Sequence, residues 1–167
     1  MTNAHALTSA RLAQLQRVDT FDVRSELQGL YDAMSQASLQ FMTAAEIDEF
    51  HTVLTTSAWT FVDETGRKHH RSQMGVDAIH ALVAPRPDSI TQTIGRLSLD
   101  GNVATVLINR TTVRSLARRP GRGGARTLAA VTTFRDRWIR VVGEWKLQSR
   151  QQIGKSVESV VRGSGCV

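Results

Sequence analysis

Long apolar runs, cysteine pairs and secretion signals are all missing from this sequence of 167 residues. No apolar stretch reaches the length of about 18 residues that a membrane-spanning helix needs, so the sequence predicts no membrane span. The N-terminal stretch has no apolar core of the kind found in signal peptides, and we therefore expect a cytoplasmic protein. The single cysteine, Cys166, has no second cysteine to pair with, which excludes an internal disulfide.

The residues that are present describe one basic globular domain. Hydrophobic residues make up 41% and charged residues 22% of the chain, which is ordinary for a globular protein with a sizeable core. The net charge of +6 favours encounters with anions in general. Residues 114–126 contain five arginines and no acid, but no aromatic residue is interleaved for base stacking. We expect a solvated hairpin loop there, and neither a nucleic-acid nor a membrane partner.

Helical signals dominate the first half of the chain. Residues 1–21 are predicted to be an N-terminal extension, and Asp22 is placed to cap the first long helix. That helix has apolar residues at three- and four-residue steps, which is typical of an amphipathic helix. Its predicted core positions are Val23, Leu27, Leu30, Tyr31, Met34, Ser38 and Phe41. Thr43 and Glu46 form a capping box that predicts a second helix, and a third is predicted over residues 76–83.

Strand signals follow these helices. One strand is predicted over residues 58–64, and after Pro87 the pattern indicates strands only, with tight turns at Gly101 and Gly143. The order of helices, strand, helix and four strands predicts an α+β fold, in which an antiparallel sheet has its helices on one face. The main domain is predicted to span residues 22–153, and residues 154–167 are predicted to be a loose tail.

The last two strands carry the most informative pattern. Because side chains alternate between the faces of a strand, Phe134, Asp136 and Trp138 are predicted to point inward together. A carboxylate between two aromatic rings is costly unless it is paired or belongs to a site. The same alternation predicts that Trp145, Leu147, Ser149, Gln151 and Ile153 share a face, with Arg150 on the opposite one.

The order of these segments resembles the nuclear transport factor 2-like superfamily and, within it, the SnoaL-like proteins. The resemblance is carried by residues 48–54, 58–66, 75–79 and the closing hairpin over residues 134–147. It implies a cone, in which a strongly curved antiparallel sheet wraps around the long N-terminal helix and leaves an open, mostly apolar pocket. It also implies a homodimer that pairs through the outer face of the sheet. Members include ketosteroid isomerases, polyketide cyclases and dehydratases, alongside non-catalytic ligand-binding and assembly modules.

Two acids correspond to the catalytic residues of the isomerases. The resemblance places Asp63 where those enzymes have their proton-abstracting aspartate, and an apolar pocket would raise the pKa of such a carboxyl group. The alternative for Asp63 is a turn residue that caps the amides of Thr65 and Gly66. Asp136 lies near the place of the second, protonated acid, and the alternative there is a salt bridge with Arg140 or another arginine.

The chain departs from the isomerases at their helical tyrosine. Leu39 is near that position, whereas Tyr31, the only tyrosine, lies two turns earlier and is typical of a core residue with a bonded hydroxyl. This departure argues against steroid-type isomerisation. The predicted ligand-binding residues are Trp59, Phe61, Tyr31, Phe134, Trp138 and Arg140.

The remaining polar residues suggest ligand recognition rather than metal chemistry. His51 lies on the core side of its helix, as a core histidine with satisfied hydrogen bonds would, and the adjacent His69 and His70 point to opposite faces. We therefore expect no metal, no covalent nucleophile and no cofactor. Any arginine that points into the cone would recognise a ligand carboxylate or phosphate, and the candidates are Arg110, Arg135, Arg137, Arg140 and Arg150. Arg135 and Arg137 fall on the other face, as solvated or dimer-facing charges.

Two functional hypotheses stand side by side. In the first, the protein is a cofactor-independent isomerase, cyclase or dehydratase in which Asp63 moves a proton on a small, largely apolar or carboxylate-bearing molecule. In the second, the same pocket binds a ligand without catalysis, or the domain serves in oligomerisation. The two acids favour the first hypothesis, and the missing tyrosine favours the second.

Overall fold

A computed structural model describes residues 3–40, 43–71, 86–116 and 126–161. Within these ranges the chain forms two helices followed by six strands. The helices are α1 (Asn3–Gln40) and α2 (Ala44–Leu54), and the strands are β1 (Thr55–Val62), β2 (Lys68–His70), β3 (Ser89–Asp100), β4 (Val103–Leu116), β5 (Arg126–Val141) and β6 (Glu144–Val161). The predicted third helix and most of the arginine-rich loop lie outside the described residues.

The six strands form one curved sheet in the order β2-β1-β6-β5-β4-β3. Neighbouring strands are antiparallel except β1 and β6, which run parallel. The α+β cone is confirmed, but its sheet is mixed rather than antiparallel. A hairpin dictates the direction of its two strands, whereas β1 and β6 are joined only through the rest of the sheet, and no local signal sets their direction.

The long helix begins well before its predicted cap. Asp22 lies inside α1, which starts at Asn3, because neither proline nor glycine interrupts the chain before Gly29. In the second half of α1, four predicted core residues are confirmed because their side chains are buried: Val23, Leu27, Tyr31 and Met34. The capping box of α2 is also confirmed, since Thr43 and Glu46 exchange both of their side-chain–backbone hydrogen bonds. No helix among the described residues is both long and apolar enough to cross a membrane.

The last strand is longer than predicted. Residues 154–161 pair with the first half of β5, from Gly154 opposite Thr133 to Val161 opposite Arg126. The prediction of a loose tail is therefore wrong for this segment, because the equally long β5 supplies backbone partners all along it.

Two bulges in β6 decide which of its side chains point inward. Trp138 is opposite Leu147 and Arg137 is opposite Ser149, so Gln148 is an extra residue in β6. A second shift leaves Ile153 extra. Each extra residue moves the following side chains to the other face. The predicted alternation therefore fails here: Arg150 is buried, whereas Ile153 is 43% exposed.

The core lies between α1 and the side of the sheet that faces it, which we call the inner face. The predicted inward position of Trp138 is confirmed. Trp138 and Trp145 are both buried, and their indole nitrogens donate to Tyr31 and Glu26 of α1. The largest fully enclosed side chains among the described residues are Trp138, Tyr31, Leu27, Ile108, Leu147, Val106 and Asp136.

One glutamine of α1 completes the edge of the sheet. The side-chain oxygen of Gln28 accepts from the backbone N–H of Ile94 at 3.2 Å, and its nitrogen donates to the carbonyl of Gln92 at 2.7 Å. Arg24 of the same helix donates to the carbonyl of Ile94. The outer edge of β3 is thus bonded to a helix instead of a seventh strand.

Candidate functional site

A fully buried carboxylate lies at the inner end of the site. Asp136 accepts from Arg150 Nε at Oδ1 (2.8 Å) and from Arg150 Nη2 at Oδ2 (2.7 Å), which is a bidentate pair. The hydroxyl of Tyr31 donates to the same Oδ2 at 2.7 Å. Of the two alternatives for Asp136, the geometry matches the salt bridge, and the partner is Arg150 rather than Arg140. A catalytic role for Asp136 stays a prediction.

Tyr31 connects this ion pair to the helix and the core. Its hydroxyl accepts from Trp138 Nε1 at 2.8 Å while it donates to Asp136, and the two rings meet edge to face. Burial, followed by the charge of Asp136, raises the pKa of Tyr31 well above its ordinary value. Gln92 extends the network, because its nitrogen reaches the Tyr31 carbonyl at 3.2 Å. Tyr31 and Trp138 therefore lie in the core, where their polar groups are hydrogen-bonded, and not on an open surface.

Three aromatic side chains lead outward from the ion pair. Trp59 stacks on Phe61 at a centroid distance of 6.4 Å, and Phe61 lies 6.5 Å from Phe134. The guanidinium carbon of Arg150 is 4.8 Å from the centre of the Phe134 ring. We call Trp59, Phe61 and Phe134 the aromatic wall. Trp59 and Phe134 are buried, whereas Phe61 is only half-buried, so the wall ends at a partly open surface.

The inner face opens beyond Phe134. On β4, burial is complete through Ile108 but only partial at Arg110, and on β5 it is partial at Thr132. Register places Gln92, Arg110 and Thr132 side by side across three strands. Since Gln92 bonds to α1, all three side chains are on the inner face. The mouth of the cone is therefore lined by Arg110, Thr132 and the half-buried Phe61.

Asp63 and His69 meet at the rim of this opening. His69 Nε2 lies 2.9 Å from Asp63 Oδ2, and the His69 ring centre is 5.7 Å from that of Phe61. Phe61 and His69 are opposite each other in the β1–β2 pair, so both are on the inner face. From its sequence position, His69 was a candidate only for metal binding. The signal for its contact with Asp63 is the turn at Gly66, which brings residues on its two sides together.

The carboxylate of Asp63 accepts hydrogen bonds from the turn that follows β1. Its Oδ1 accepts from Thr65 N (2.9 Å), Thr65 Oγ1 (2.6 Å) and Arg67 N (3.0 Å). The hydrogen bond with His69, followed by that of the Thr65 hydroxyl, lowers the pKa of Asp63 far below its ordinary value. The expected rise in pKa is therefore wrong, because hydrogen bonds to the ionised form outweigh desolvation at this partly exposed site. The arrangement favours the turn alternative, and a catalytic role for Asp63 stays a prediction.

Four buried polar side-chain atoms have no hydrogen-bond partner among the described residues. They are Trp59 Nε1, Arg110 Nε, His51 Nδ1 and Thr56 Oγ1. Burial, followed by the charges of Arg150 and Arg71, lowers the pKa of His51, which favours the neutral form of its ring. The expectation that His51 is a core histidine with satisfied hydrogen bonds is wrong for its Nδ1 atom. Unpaired buried polar atoms are rare in folded proteins and call for an explanation.

Arg140 lies apart from the aromatic wall. It is exposed beside Trp145, donates to the carbonyl of Gly143 and is 3.5 Å from Glu26. It lines a separate cleft of about 730 Å³ between α1 and the tips of the two hairpins. Arg140 therefore lies on a different surface from Trp59, Phe61 and Phe134, and its ligand-binding role stays a prediction.

No protein-family model and no curated protein sequence matches the chain. Solved structures do match. A hexachlorocyclohexane dehydrochlorinase, LinA type 2, is 9% identical, with 90% of this chain and 97% of that chain covered and a TM-score of 0.57. LinA type 3 from Novosphingobium barchaimii LL02 is 12% identical, with 90% and 98% covered and a TM-score of 0.56. An NTF2-like protein of unknown function from Prochlorococcus sp. NATL2A is 13% identical, with 67% and 82% covered and a TM-score of 0.48.

These identities are low, so the likeness shows the fold alone. The chain has the NTF2-like fold: a long helix in the concave side of a curved six-stranded sheet. Membership of the superfamily, and of the SnoaL-like family within it, stays a prediction.

Proposed function

We propose that the open end of the inner face binds a small, largely apolar molecule. The aromatic wall carries this proposal, because it continues the core outward and ends in the half-buried ring of Phe61. Ligand sites are typically concave, mostly apolar surfaces with a few polar groups that converge on them. Here the unpartnered donors of Trp59 and Arg110 supply such polar groups.

The test is the binding of phenylnaphthylamine, a neutral aromatic dye that fluoresces in apolar surroundings. We expect saturable binding, and a loss of affinity of about tenfold in Phe61→Ala, because truncating a central aromatic contact costs more than about 1 kcal/mol. The matched control is Phe21→Ala, whose ring is 73% exposed on α1. An absence of saturable binding, or an equal loss in both variants, would refute the proposal.

Proton transfer on the bound molecule is the second candidate. The Asp63–His69 pair at the rim supports it, because a carboxylate that holds an imidazole is a common arrangement for acid–base catalysis. In this version Asp63→Asn abolishes turnover of a molecule that the cone binds while its affinity is kept. His70→Gln, an exposed neighbour on the opposite face of β2, is the control. Unchanged turnover in Asp63→Asn would refute the proton-transfer candidate, and only the binding function would remain.

A further inference from the structure

The interior of the cone holds more positive than negative charge. Arg110 and Arg150 both reach the inner face, and Asp136 is the carboxylate that neutralises one of them. Both oxygens of Asp136 are taken by Arg150 and Tyr31. On the same face, Arg114 lies four residues after Arg110 on β4 and the exposed Lys155 lies opposite Thr132, so among the described residues the positive charge exceeds that of Asp136.

Arg110 has no carboxylate partner among the described residues. Its side chain is half-buried on the inner face, and its Nε is enclosed yet has no hydrogen-bond partner among the described residues. Burial, followed by the neighbouring charges of Arg150 and Arg114, lowers the pKa of Arg110 to about 10, and no carboxylate is among the groups that shift it. A buried cation with no partner is costly, so a native site usually supplies one.

A second donor without a partner among the described residues lies on the same inner face. It is Trp59 Nε1, whose ring stacks on Phe61 in the aromatic wall. Trp59 Nε1 and Arg110 Nε can only donate, so each of them lacks an acceptor. At Arg110 an anionic acceptor satisfies the charge and the hydrogen bond at once.

We propose that the ligand of the cone is an anion, with a carboxylate or sulfonate head beside Arg110 and an apolar body against the aromatic wall. This inference rests on the proposed binding function and adds the chemical class of the ligand. Arginine suits this task, since its planar fork matches two oxygens of the head group.

Two dyes with the same aromatic frame test the proposal. Phenylnaphthylamine is neutral, and anilinonaphthalene sulfonate adds one anionic group to it. We expect the unmodified protein to bind the sulfonate at least about tenfold more tightly than the neutral dye, as charge-assisted hydrogen bonds imply. Arg110→Met is expected to remove this preference, so that the ratio of the two dye affinities falls to about one.

Arg135→Met is the matched control. Arg135 is exposed on the outer face, and its replacement lowers the net charge by the same amount, so it corrects for non-specific attraction to a basic protein. The preference for the sulfonate should survive in this variant. Equal affinities for the two dyes in the unmodified protein, or equal effects of the two variants, would overturn the proposal while the binding function stands. Failure of both dyes to bind would refute the binding function itself.

A measurement on the unmodified protein covers the case in which Arg110→Met does not fold. Naphthoate and naphthalenemethanol are close in size, and only the first is an anion. Naphthoate is expected to displace the neutral dye at an about tenfold lower concentration. Equal potency of the two competitors would overturn the inference.

Discussion

Asp136 and Arg150 lie on adjacent strands and meet through two hydrogen bonds of 2.8 and 2.7 Å, with the carboxylate fully enclosed. The pair occupies the point where the packed core gives way to the aromatic wall. Its charges are compensated on every side, by Tyr31 on one carboxylate oxygen and by the face of the Phe134 ring beneath the guanidinium.

Removing one member of this pair should destabilise the fold strongly. Arg150→Met leaves a buried carboxylate without its partner, and we expect a loss of about 3–5 kcal/mol in the free energy of unfolding, measured with urea. The double variant Asp136→Leu/Arg150→Met should recover a large part of that loss, because no buried charge is left. Glu26→Gln, in the exposed pair with Arg140, should cost less than about 1 kcal/mol. A double variant no more stable than the single one would contradict this account.

Tyr31 should resist ionisation at alkaline pH. It is the only tyrosine, so the absorbance of tyrosinate reports on one group. Because its pKa is raised in the folded state, its contribution to stability is complete below the unfolded value of 10.0 and is lost as the pH rises above it. We expect the tyrosinate signal to appear only with unfolding. Tyr31→Phe, which removes both hydrogen bonds, should cost about 1–3 kcal/mol. A reversible titration near the ordinary pKa in folded protein would contradict the buried network.

Asp63 should titrate below its ordinary pKa of 3.8. An NMR titration of the side-chain carboxyl measures this directly, and Asp63→Asn assigns the signal. Since the folded pKa is lowered, the contribution of Asp63 to stability is present above pH 3.8 and is lost as the pH falls toward the folded value. The difference in stability between the unmodified protein and Asp63→Asn should therefore shrink in acid. A pKa at or above the ordinary value would restore the expectation of a desolvated base.

The turn between β5 and β6 should be improved by a single substitution. Val142 has a φ of 50° and Gly143 a φ of 85°, which is the left-handed pair that a two-residue hairpin turn requires. A β-branched residue is strained there, whereas Asn followed by Gly is favoured. Val142→Asn should raise the free energy of unfolding by about 1 kcal/mol. Val142→Thr keeps the β-branch and should give no such gain.

A homodimer through the outer face of the sheet remains our expectation for the quaternary structure. Val141 is 43% exposed on that face, near the half-buried Ile139. Light scattering at micromolar concentration should show a dimer, and Val141→Lys should shift it toward monomer because two like charges would meet across a symmetric interface. Val53→Lys, on the exposed side of α2, should not. A monomer in the unmodified protein would refute the expectation.

The sequence pattern predicted most of the helices and strands. It put side chains on the wrong face where a bulge interrupts a strand without a glycine or proline to signal it. The inward positions of Phe134, Asp136 and Trp138 followed from strict alternation in β5 and were found buried. On β6 the same rule put Arg150 on the wrong face, because the bulge at Gln148 adds a residue that no glycine or proline announces. The partner of Asp136 could therefore not be identified from spacing alone.

The candidate site was predictable only in its parts. Trp59, Phe61 and Phe134 were recognised as ligand-facing candidates, and the structure brings them together in one wall. The state of Asp63 was not predictable, because it depends on four donors placed by the folded turn at Gly66 rather than on residue type. The length of a strand such as β6 likewise depends on its partner, β5, and not on its own composition.

The glutamine of α1 that bonds to β3 bears on how the protein avoids self-association. The side-chain amide of Gln28 offers Ile94 and Gln92 one acceptor and one donor, as a peptide unit of a neighbouring strand would. An exposed strand edge invites foreign strands and the growth of cross-β aggregates. At Gln92 and Ile94, the side chain of Gln28 on α1 already occupies the backbone hydrogen-bonding positions that a foreign strand would use. Until α1 docks during folding, however, the edge of β3 has unpaired backbone N–H and C=O groups. The chain is therefore most prone to aggregation before α1 docks.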